Sequence, residues 1–229
     1  MGVNTITDVF FDLDHTLWDF DKNSTLAFER IFEQSHPLVE IDSFIKEYIP
    51  INQSCWKLFQ YNKITHEELR YNRLKHSFDA LNYSITDQEI DRISDQYIEI
   101  LPDHNHLFEG AFEILDYLKS KYKLHIITNG FAEVQYKKMN NAQLTSYFTT
   151  ITNSEMAGVK KPNPVIFEYA LNLAKAKKET SIMIGDSLDA DVQGALDIGL
   201  DAIYFNGTIS DNGLNIKQIT HLLELKQYL

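Results

Sequence analysis

Acidic residues follow two short apolar runs of this sequence. Asp12 and Asp14 end the first run, and Asp186 and Asp191 follow the second, Ser181–Gly185. Four carboxylates packed together without a counterion would repel one another strongly. Magnesium prefers oxygen ligands and keeps positions for water or substrate oxygens. The set therefore indicates a Mg²⁺ site that could also neutralise a phosphate.

The two-residue spacing of Asp12 and Asp14 suits phosphoryl transfer. One carboxylate can attack phosphorus and form an aspartyl-phosphate. A second carboxyl group must protonate the leaving alcohol and then activate water. We assign Asp12 as the nucleophile and Asp14 as the general acid and base.

Donors for a phosphate group come from two further segments. Thr128, Asn129 and Gly130 end another apolar run, so the Thr128 hydroxyl and the backbone amides after Asn129 can bind phosphate oxygens. Lys161 would add a second positive charge, although its neighbour Lys160 offers the same chemistry. Because the carboxyl ends of parallel strands meet at one edge of a sheet, we expect these groups to converge there.

Short apolar runs alternate with helical patterns over much of the chain, which predicts a parallel sheet covered by helices on both faces. The predicted strands are Asp8–Asp12, Leu124–Thr128, Thr149–Thr152, Ser181–Gly185 and Asp201–Phe205. The predicted helices are Ala111–Lys121, Phe131–Gln143, one opened by Asn163-Pro164, Asp189–Ile198 and one through about Gln218–Tyr228.

An all-helical block interrupts that alternation between about residues 23 and 101. Its apolar residues recur at helical spacing, and Thr65 and Thr86 each begin a capping-box sequence, so we predict four helices there. Pro50 should break or kink the long segment that contains it. The predicted fold is α/β: a Rossmann-like parallel-sheet core, residues 1–17 and 106–229, with an inserted all-helical cap domain, residues 18–105.

Composition excludes several classes of function. The 229 residues carry a formal net charge of −12, which disfavours binding to a nucleic acid polymer. The single cysteine, Cys55, rules out an internal disulfide and suits a reducing compartment. No apolar run approaches the length of a membrane span, and the first residues do not resemble a secretory signal. We expect a cytoplasmic enzyme, without membrane contact, as a monomer or homodimer.

The candidate residues lie in four segments: Phe11-Asp12-Leu13-Asp14-His15-Thr16-Leu17, Ile127-Thr128-Asn129-Gly130, Lys161-Pro162-Asn163-Pro164 and Ile184-Gly185-Asp186-Ser187 with Asp191. These segments resemble, in order, the motifs of the haloacid dehalogenase (HAD) superfamily, and the helical block is similar to that family's inserted cap. The resemblance selects Lys161 over Lys160 as the functional lysine. It implies magnesium ligation by Asp12, by Asp186 and by the backbone carbonyl of Asp14, with a supporting role for Asp191. Asp189 matches no motif position.

Within the superfamily, the stretch from Val9 to Asp21 most resembles the pyrimidine 5′-nucleotidases, which implies a nucleoside monophosphate as the substrate. Trp18 lies in this stretch and is a candidate to contact the substrate. A phosphoglycolate or sugar phosphatase stays open, as does a phosphosugar mutase, which would use the same residues. A dehalogenase would not need Asp14, and a non-catalytic regulatory binding protein would not need the full set.

Overall fold

The computed structural model describes residues 5–35, 39–205 and 216–229. The chain forms two compact units. The first comprises Met1–Asp19 and His106–Leu229 and contains the sheet; the second is Phe20–Asn105 and is helical. The sequence analysis put residue 18 in the cap, but Trp18 pairs with Asp14 and Leu107 of the first unit.

Six parallel strands form one sheet in the described part of the chain, in the order β3-β2-β1-β4-β5-β6. They are β1 (Asp8–Phe11), β2 (Lys123–Thr128), β3 (Thr150–Asn153), β4 (Ser181–Gly185), β5 (Asp201–Phe205) and β6 (Lys217–Ile219). The chain runs outward from β1 to β3 and then returns to β4 on the other side of β1. A switch of direction at this point makes a crevice beyond the carboxyl ends of β1 and β4, where ligands of such sheets bind.

The described residues of the helical unit form four α-helices, as predicted. They are α1 (Phe20–Ser35), α2 (Ile41–Gln60), α3 (His66–Ala80) and α4 (Asp87–Ile100). Both predicted capping boxes are present: Thr65 accepts from the Glu68 amide and Thr86 from the Glu89 amide. Aromatic rings fill the interior of the unit, with Phe28 at the centre, 4.5 Å from the Tyr97 ring. The aromatic residues of α1, α2 and α4 therefore serve mainly as core.

The sheet-containing unit adds five α-helices among its described residues: α5 (Ala111–Lys119), α6 (Ala132–Asn141), α7 (Ser154–Ala157), α8 (Pro164–Ala174) and α9 (Gly194–Asp197). A π-helical turn, Leu188–Gln193, precedes α9, and a 3₁₀ segment, Leu222–Gln227, follows β6. One face of the sheet packs against α8, where Phe10 and Met183 meet Phe167 without any solvent exposure. The predicted α/β class with an inserted helical unit is confirmed.

Two details differ from the prediction. A break at Pro50 is wrong, because α2 continues through it, and the alternative of a kink stays a prediction. Pro50 and Lys46, the residue whose carbonyl loses its amide partner, both lie on the exposed side of α2 where water can bind that carbonyl. The predicted C-terminal helix is instead strand β6 followed by the 3₁₀ segment, because Ile219 is buried beside β5.

Among the helices of the described ranges, none combines the length and the apolar character that crossing a bilayer requires.

Candidate active site

The end of β1 places Asp12 and Asp14 in a tight loop at the crevice. The Asp12 amide donates to the Ile184 carbonyl over 2.9 Å and so extends the pairing of β1 with β4 by one residue. The Leu13 carbonyl then accepts from the amides of Leu17 and Trp18, both at 2.9 Å, which closes the loop. The two carboxylates are therefore held by backbone bonds of the sheet and the loop.

Lys161 is the cation of the site. Its side chain is 2% exposed, and its Nζ lies 2.7 Å from Asp12 Oδ1, 2.6 Å from Asp191 Oδ1 and 2.6 Å from the Ile127 carbonyl oxygen. An ammonium has three N–H groups, and three oxygens surround this one. Lys160 is only half-buried, and burial lowers its pKa.

Asn129 binds the backbone of Lys161. Its Nδ2 donates to the Lys161 carbonyl over 3.0 Å, and its Oδ1 accepts from the Lys161 amide over 2.7 Å. Two bonds from one amide side chain fix the segment that carries the lysine. The side-chain oxygen and nitrogen of Asn129 therefore already have partners within the protein. The predicted contact of Asn129 with substrate stays a prediction.

The remaining two carboxylates follow β4: Asp186 comes directly after the strand, and Asp191 lies in the π-helical turn. Asp191 Oδ2 accepts from the Ser187 amide over 3.0 Å, and Asp186 Oδ1 accepts from Thr16 Oγ1 over 3.2 Å. Gly185 allows this arrangement, because a Cβ atom there would lie 2.3 Å from Asp191 Oδ2. π-Helical turns are rare and often occur at functional sites.

The carboxylate cluster suits a divalent cation. One oxygen each from Asp12, Asp186 and Asp191 lies within 4.8 Å of the others. Hard oxygen donors of this kind fit Mg²⁺, and Lys161 neutralises only one of the three negative charges. The side chain of Asp14 is not part of this group. Only its backbone carbonyl could serve the ligand role that the resemblance implies.

The electrostatics of the cluster agree with this reading. Burial raises the pKa of Asp12 well above its ordinary value; Lys161 opposes that shift, and the Asp191 and Asp186 carboxylates add to it. Burial also raises the pKa of Asp186 to about 8, with a further contribution from Asp191. Burial would lower the pKa of Lys161, but the Asp12 and Asp191 carboxylates more than offset it and raise that pKa. A divalent cation would favour the ionised carboxylates.

Asp14 points away from the cluster toward helix α6. Its Oδ1 accepts from Lys138 Nζ over 2.7 Å, and its Oδ2 accepts from Gln135 Nε2 over 2.8 Å. Both donors are 2% exposed, whereas Asp14 itself is partly exposed. The sequence analysis missed Gln135 and Lys138. Their only signal was a spacing of three residues in a predicted helix, which puts them on one face.

Thr128 and Gly130 lie beside this group. Thr128 Oγ1 accepts from Gln135 Nε2 over 2.8 Å and from the Gly130 amide over 3.1 Å. A Cβ atom at Gly130 would lie 2.4 Å from Gln135 Nε2, so glycine leaves the space through which Gln135 reaches Thr128.

The predicted contact between Trp18 and substrate is corrected by the structure. Trp18 is completely buried, and its ring packs against the Lys138 ammonium, 4.2 Å from the ring centroid. A side chain with no exposed surface cannot touch a ligand that enters from solvent. Its contact with Lys138 is a cation–π interaction.

The site combines a candidate nucleophile at the end of the first strand with a buried lysine and a carboxylate cluster. On a parallel sheet covered by helices, these features are those of a hydrolase. The family model of haloacid dehalogenase-like hydrolases matches residues 9–205, and the chain belongs to this family of enzymes.

Similar proteins include two nucleotidases. The chain is 32% identical over 202 residues to pyrimidine 5′-nucleotidase PynA of Streptococcus pneumoniae, covering 86% of this chain and 83% of that protein. It is 29% identical over 225 residues to pyrimidine 5′-nucleotidase YjjG of Escherichia coli, covering 96% of each. The magnesium-bound structure of the HAD-hydrolase YfnB of Bacillus subtilis superposes with a TM-score of 0.88 at 29% identity, covering 98% of this chain and 99% of that one. Glyceraldehyde 3-phosphate phosphatases are also similar to this chain.

Proposed function

We propose that this hydrolase is a magnesium-dependent phosphomonoesterase that acts through an aspartyl-phosphate, with pyrimidine nucleoside monophosphates as substrates. The observation that carries the proposal is the separation of the two loop carboxylates. Asp12 lies in the cluster with Asp186 and Asp191, whereas Asp14 is bound by Lys138 and Gln135 outside it. Two carboxyl groups in such different surroundings can perform different tasks.

In the first step, an Asp12 carboxylate oxygen attacks phosphorus, the bond from phosphorus to the ester oxygen breaks, and Asp14 gives its proton to the departing alkoxide. In the second step, Asp14 takes a proton from water as the water oxygen attacks phosphorus. The bond from phosphorus to Asp12 then breaks, which releases phosphate and restores the carboxylate. The Thr128 hydroxyl and the backbone amides beside it donate to the phosphoryl oxygens during both steps.

Asp12, Asp186 and the backbone carbonyl of Asp14 would hold Mg²⁺, and Asp191 would support them. When bound, the ion supplies positive charge that neutralises the carboxylates and the phosphate. The raised pKa values of Asp12 and Asp186 support this need, because the nucleophile must be ionised. Lys161 holds Asp12 Oδ1 at 2.7 Å and so fixes the orientation of the attacking group.

The substrate class rests on similarity to PynA and YjjG, which are pyrimidine 5′-nucleotidases. A sugar phosphatase is the second candidate, because glyceraldehyde 3-phosphate phosphatases are also relatives. The test is phosphate release from UMP, dUMP, TMP, AMP, glyceraldehyde 3-phosphate, phosphoglycolate and a hexose phosphate, each with Mg²⁺ and with EDTA. We expect release from the pyrimidine nucleotides to be fastest and to require Mg²⁺.

Each alternative gives a distinct result. Activity confined to the small non-nucleotide esters would indicate a sugar or phosphoglycolate phosphatase instead of a nucleotidase. Isomerisation of the hexose phosphate would indicate a mutase, and halide release from a 2-haloacid would indicate a dehalogenase. Equal rates in EDTA would contradict the metal requirement. Asp12→Asn should abolish release, and Asp189→Asn, an exposed residue of the same acidic segment as Asp191, should leave it unchanged.

A further inference from the structure

We propose that Gln135 and Lys138 are positioning residues that hold the Asp14 carboxyl group in place for proton transfer and direct the Thr128 hydroxyl toward the phosphate. This inference rests on the proposed phosphatase function. All four side chains belong to the sheet-containing unit, and α6 carries the two positioning residues.

Lys138 and Gln135 each bind a different oxygen of Asp14. The contact to Oδ1 is 2.7 Å from Lys138 Nζ, and the contact to Oδ2 is 2.8 Å from Gln135 Nε2. Two donors on two oxygens fix both the position and the rotation of a carboxyl group. General acid catalysis depends on that geometry, because the proton must travel along a short hydrogen bond.

A purely stabilising role does not account for this pair. The Lys138 side chain is 3% exposed, whereas the Asp14 side chain is 21% exposed and could be hydrated without a partner. Burying an ammonium costs several kcal/mol, which the attraction to a carboxylate often fails to recover. The ammonium also lies over the Trp18 ring, 4.2 Å from its centroid. The arrangement therefore favours precise placement over stability.

Gln135 also determines which way the Thr128 hydroxyl points. Its NH₂ group has two hydrogens, and two acceptors, Asp14 Oδ2 and Thr128 Oγ1, lie 2.8 Å away. The Thr128 oxygen accepts a second bond from the Gly130 amide at 3.1 Å. Both lone pairs of the hydroxyl are then in use, so its hydrogen is left to be donated to a phosphoryl oxygen.

Gly130 provides an independent way to disturb the same contact. A Cβ atom at this position would lie 2.4 Å from Gln135 Nε2 and 2.5 Å from its Cδ, so alanine would displace the amide group. Gly130→Ala should therefore reproduce the defect of Gln135→Ala without removing any polar group.

The experiment uses the dependence on the leaving group. Hydrolysis of UMP releases a poorly acidic alcohol and needs a proton from Asp14, whereas p-nitrophenyl phosphate releases a phenolate that leaves without one. For Lys138→Met we expect kcat on UMP to fall about 10- to 100-fold with KM within about threefold, since misplaced catalytic groups cost rates of this order. Because Asp14 also activates water in the second step, which both esters share, the comparison uses the first turnover: release of uridine should slow, whereas release of p-nitrophenolate should stay within about threefold of wild type.

Matched variants complete the design. Lys138→Arg should recover part of the rate on UMP, and Gln135→Ala and Gly130→Ala should lower kcat on UMP and also raise KM. Lys137→Met is the control, because Lys137 is the half-exposed neighbour that pairs with Glu133. If Lys138 acts through Asp14, Lys138→Met should add no further loss in an Asp14→Asn background.

Equal losses of the first-turnover rate on both esters, or a further loss in the Asp14→Asn background, would overturn the positioning role while leaving the phosphatase function intact. No release of phosphate from either ester by the wild-type protein with Mg²⁺ would overturn the proposed function, and the inference with it. If Lys138→Met does not fold, the same comparison of UMP with p-nitrophenyl phosphate is made with Gln135→Ala and Gly130→Ala.

Discussion

Replacing Lys161 with methionine tests the electrostatic account of the site most directly. The substitution keeps most of the length of the side chain and removes an ammonium that is 2.7 Å from Asp12 and 2.6 Å from Asp191. The three carboxylates and one ammonium give the wild-type cluster a formal charge of −2 when all are ionised, and the variant would carry −3.

The expected loss of stability follows from the burial of Lys161 and its partners. Removing one partner of a buried ion pair typically costs about 3–5 kcal/mol, because the other charge is left without compensation. The raised pKa of Asp12 allows that carboxyl group to take up a proton instead, so we expect the lower end, about 3 kcal/mol in EDTA. A protein of this size should then melt roughly 6–12 °C lower. Activity should fall at least about 100-fold, as for other lost groups that stabilise transition-state charge.

The assay is urea unfolding in EDTA and in saturating Mg²⁺, with Lys160→Met as the control. Lys160 is the half-buried neighbour, and its loss should change the free energy of unfolding by about 0.5 kcal/mol or less. Mg²⁺ should stabilise Lys161→Met more than wild type, because the variant cluster is the more negative. A Lys161→Met protein as stable as the Lys160→Met control in EDTA, or one that gains less from Mg²⁺ than wild type, would refute the reasoning.

Four further predictions concern the metal cluster and the helical unit. Gly185→Ala places a Cβ atom 2.3 Å from Asp191 Oδ2, so thermal unfolding should show a loss of about 1–3 kcal/mol, and calorimetry should show about tenfold weaker Mg²⁺ binding. Because the pKa of Asp186 is raised to about 8, Mg²⁺ binding at neutral pH should release protons, and a binding enthalpy that does not depend on the buffer would contradict this. The same raised pKa means that metal-free protein loses stability as pH rises from about 4 to about 8, and Asp186→Asn should flatten that slope in denaturant titrations. Thr65→Ala removes a capping box and should destabilise the helical unit by about 1 kcal/mol, seen by circular dichroism, without changing kcat.

The charged residues at strand ends were predictable because a parallel sheet brings them together wherever the chain between them goes. Asp12 follows β1, Asp186 follows β4, and the register of these two strands puts Phe11 opposite Ile184. Once the segments before Asp12 and Asp186 are recognised as parallel strands, the two carboxylates must lie at the same edge of the sheet. Lys161 was harder to choose, because only the resemblance separated it from Lys160.

The helical contacts to Asp14 were not predictable in the same way. Gln135 and Lys138 reach Asp14 across 121 and 124 residues of sequence. Whether one face of α6 meets the β1 loop depends on how the helix is packed against the sheet, and periodicity within the helix does not reveal that. Trp18 illustrates the opposite error. It was a candidate for substrate contact because it lies directly after the acidic loop, but its side chain is completely buried.

The surroundings of Lys161 also change what its charge can do. We expected its ammonium to meet the substrate phosphate, yet its Nζ lies within 2.7 Å of three oxygens of the protein, those of Asp12, Asp191 and the Ile127 carbonyl. In this arrangement Lys161 is placed to neutralise and orient Asp12, the proposed nucleophile. Two negative charges of the cluster remain uncompensated while a phosphate dianion approaches. Among the described residues this balance favours an additional cation at the carboxylates, and that is why we propose Asp12 and Asp186 as ligands of Mg²⁺.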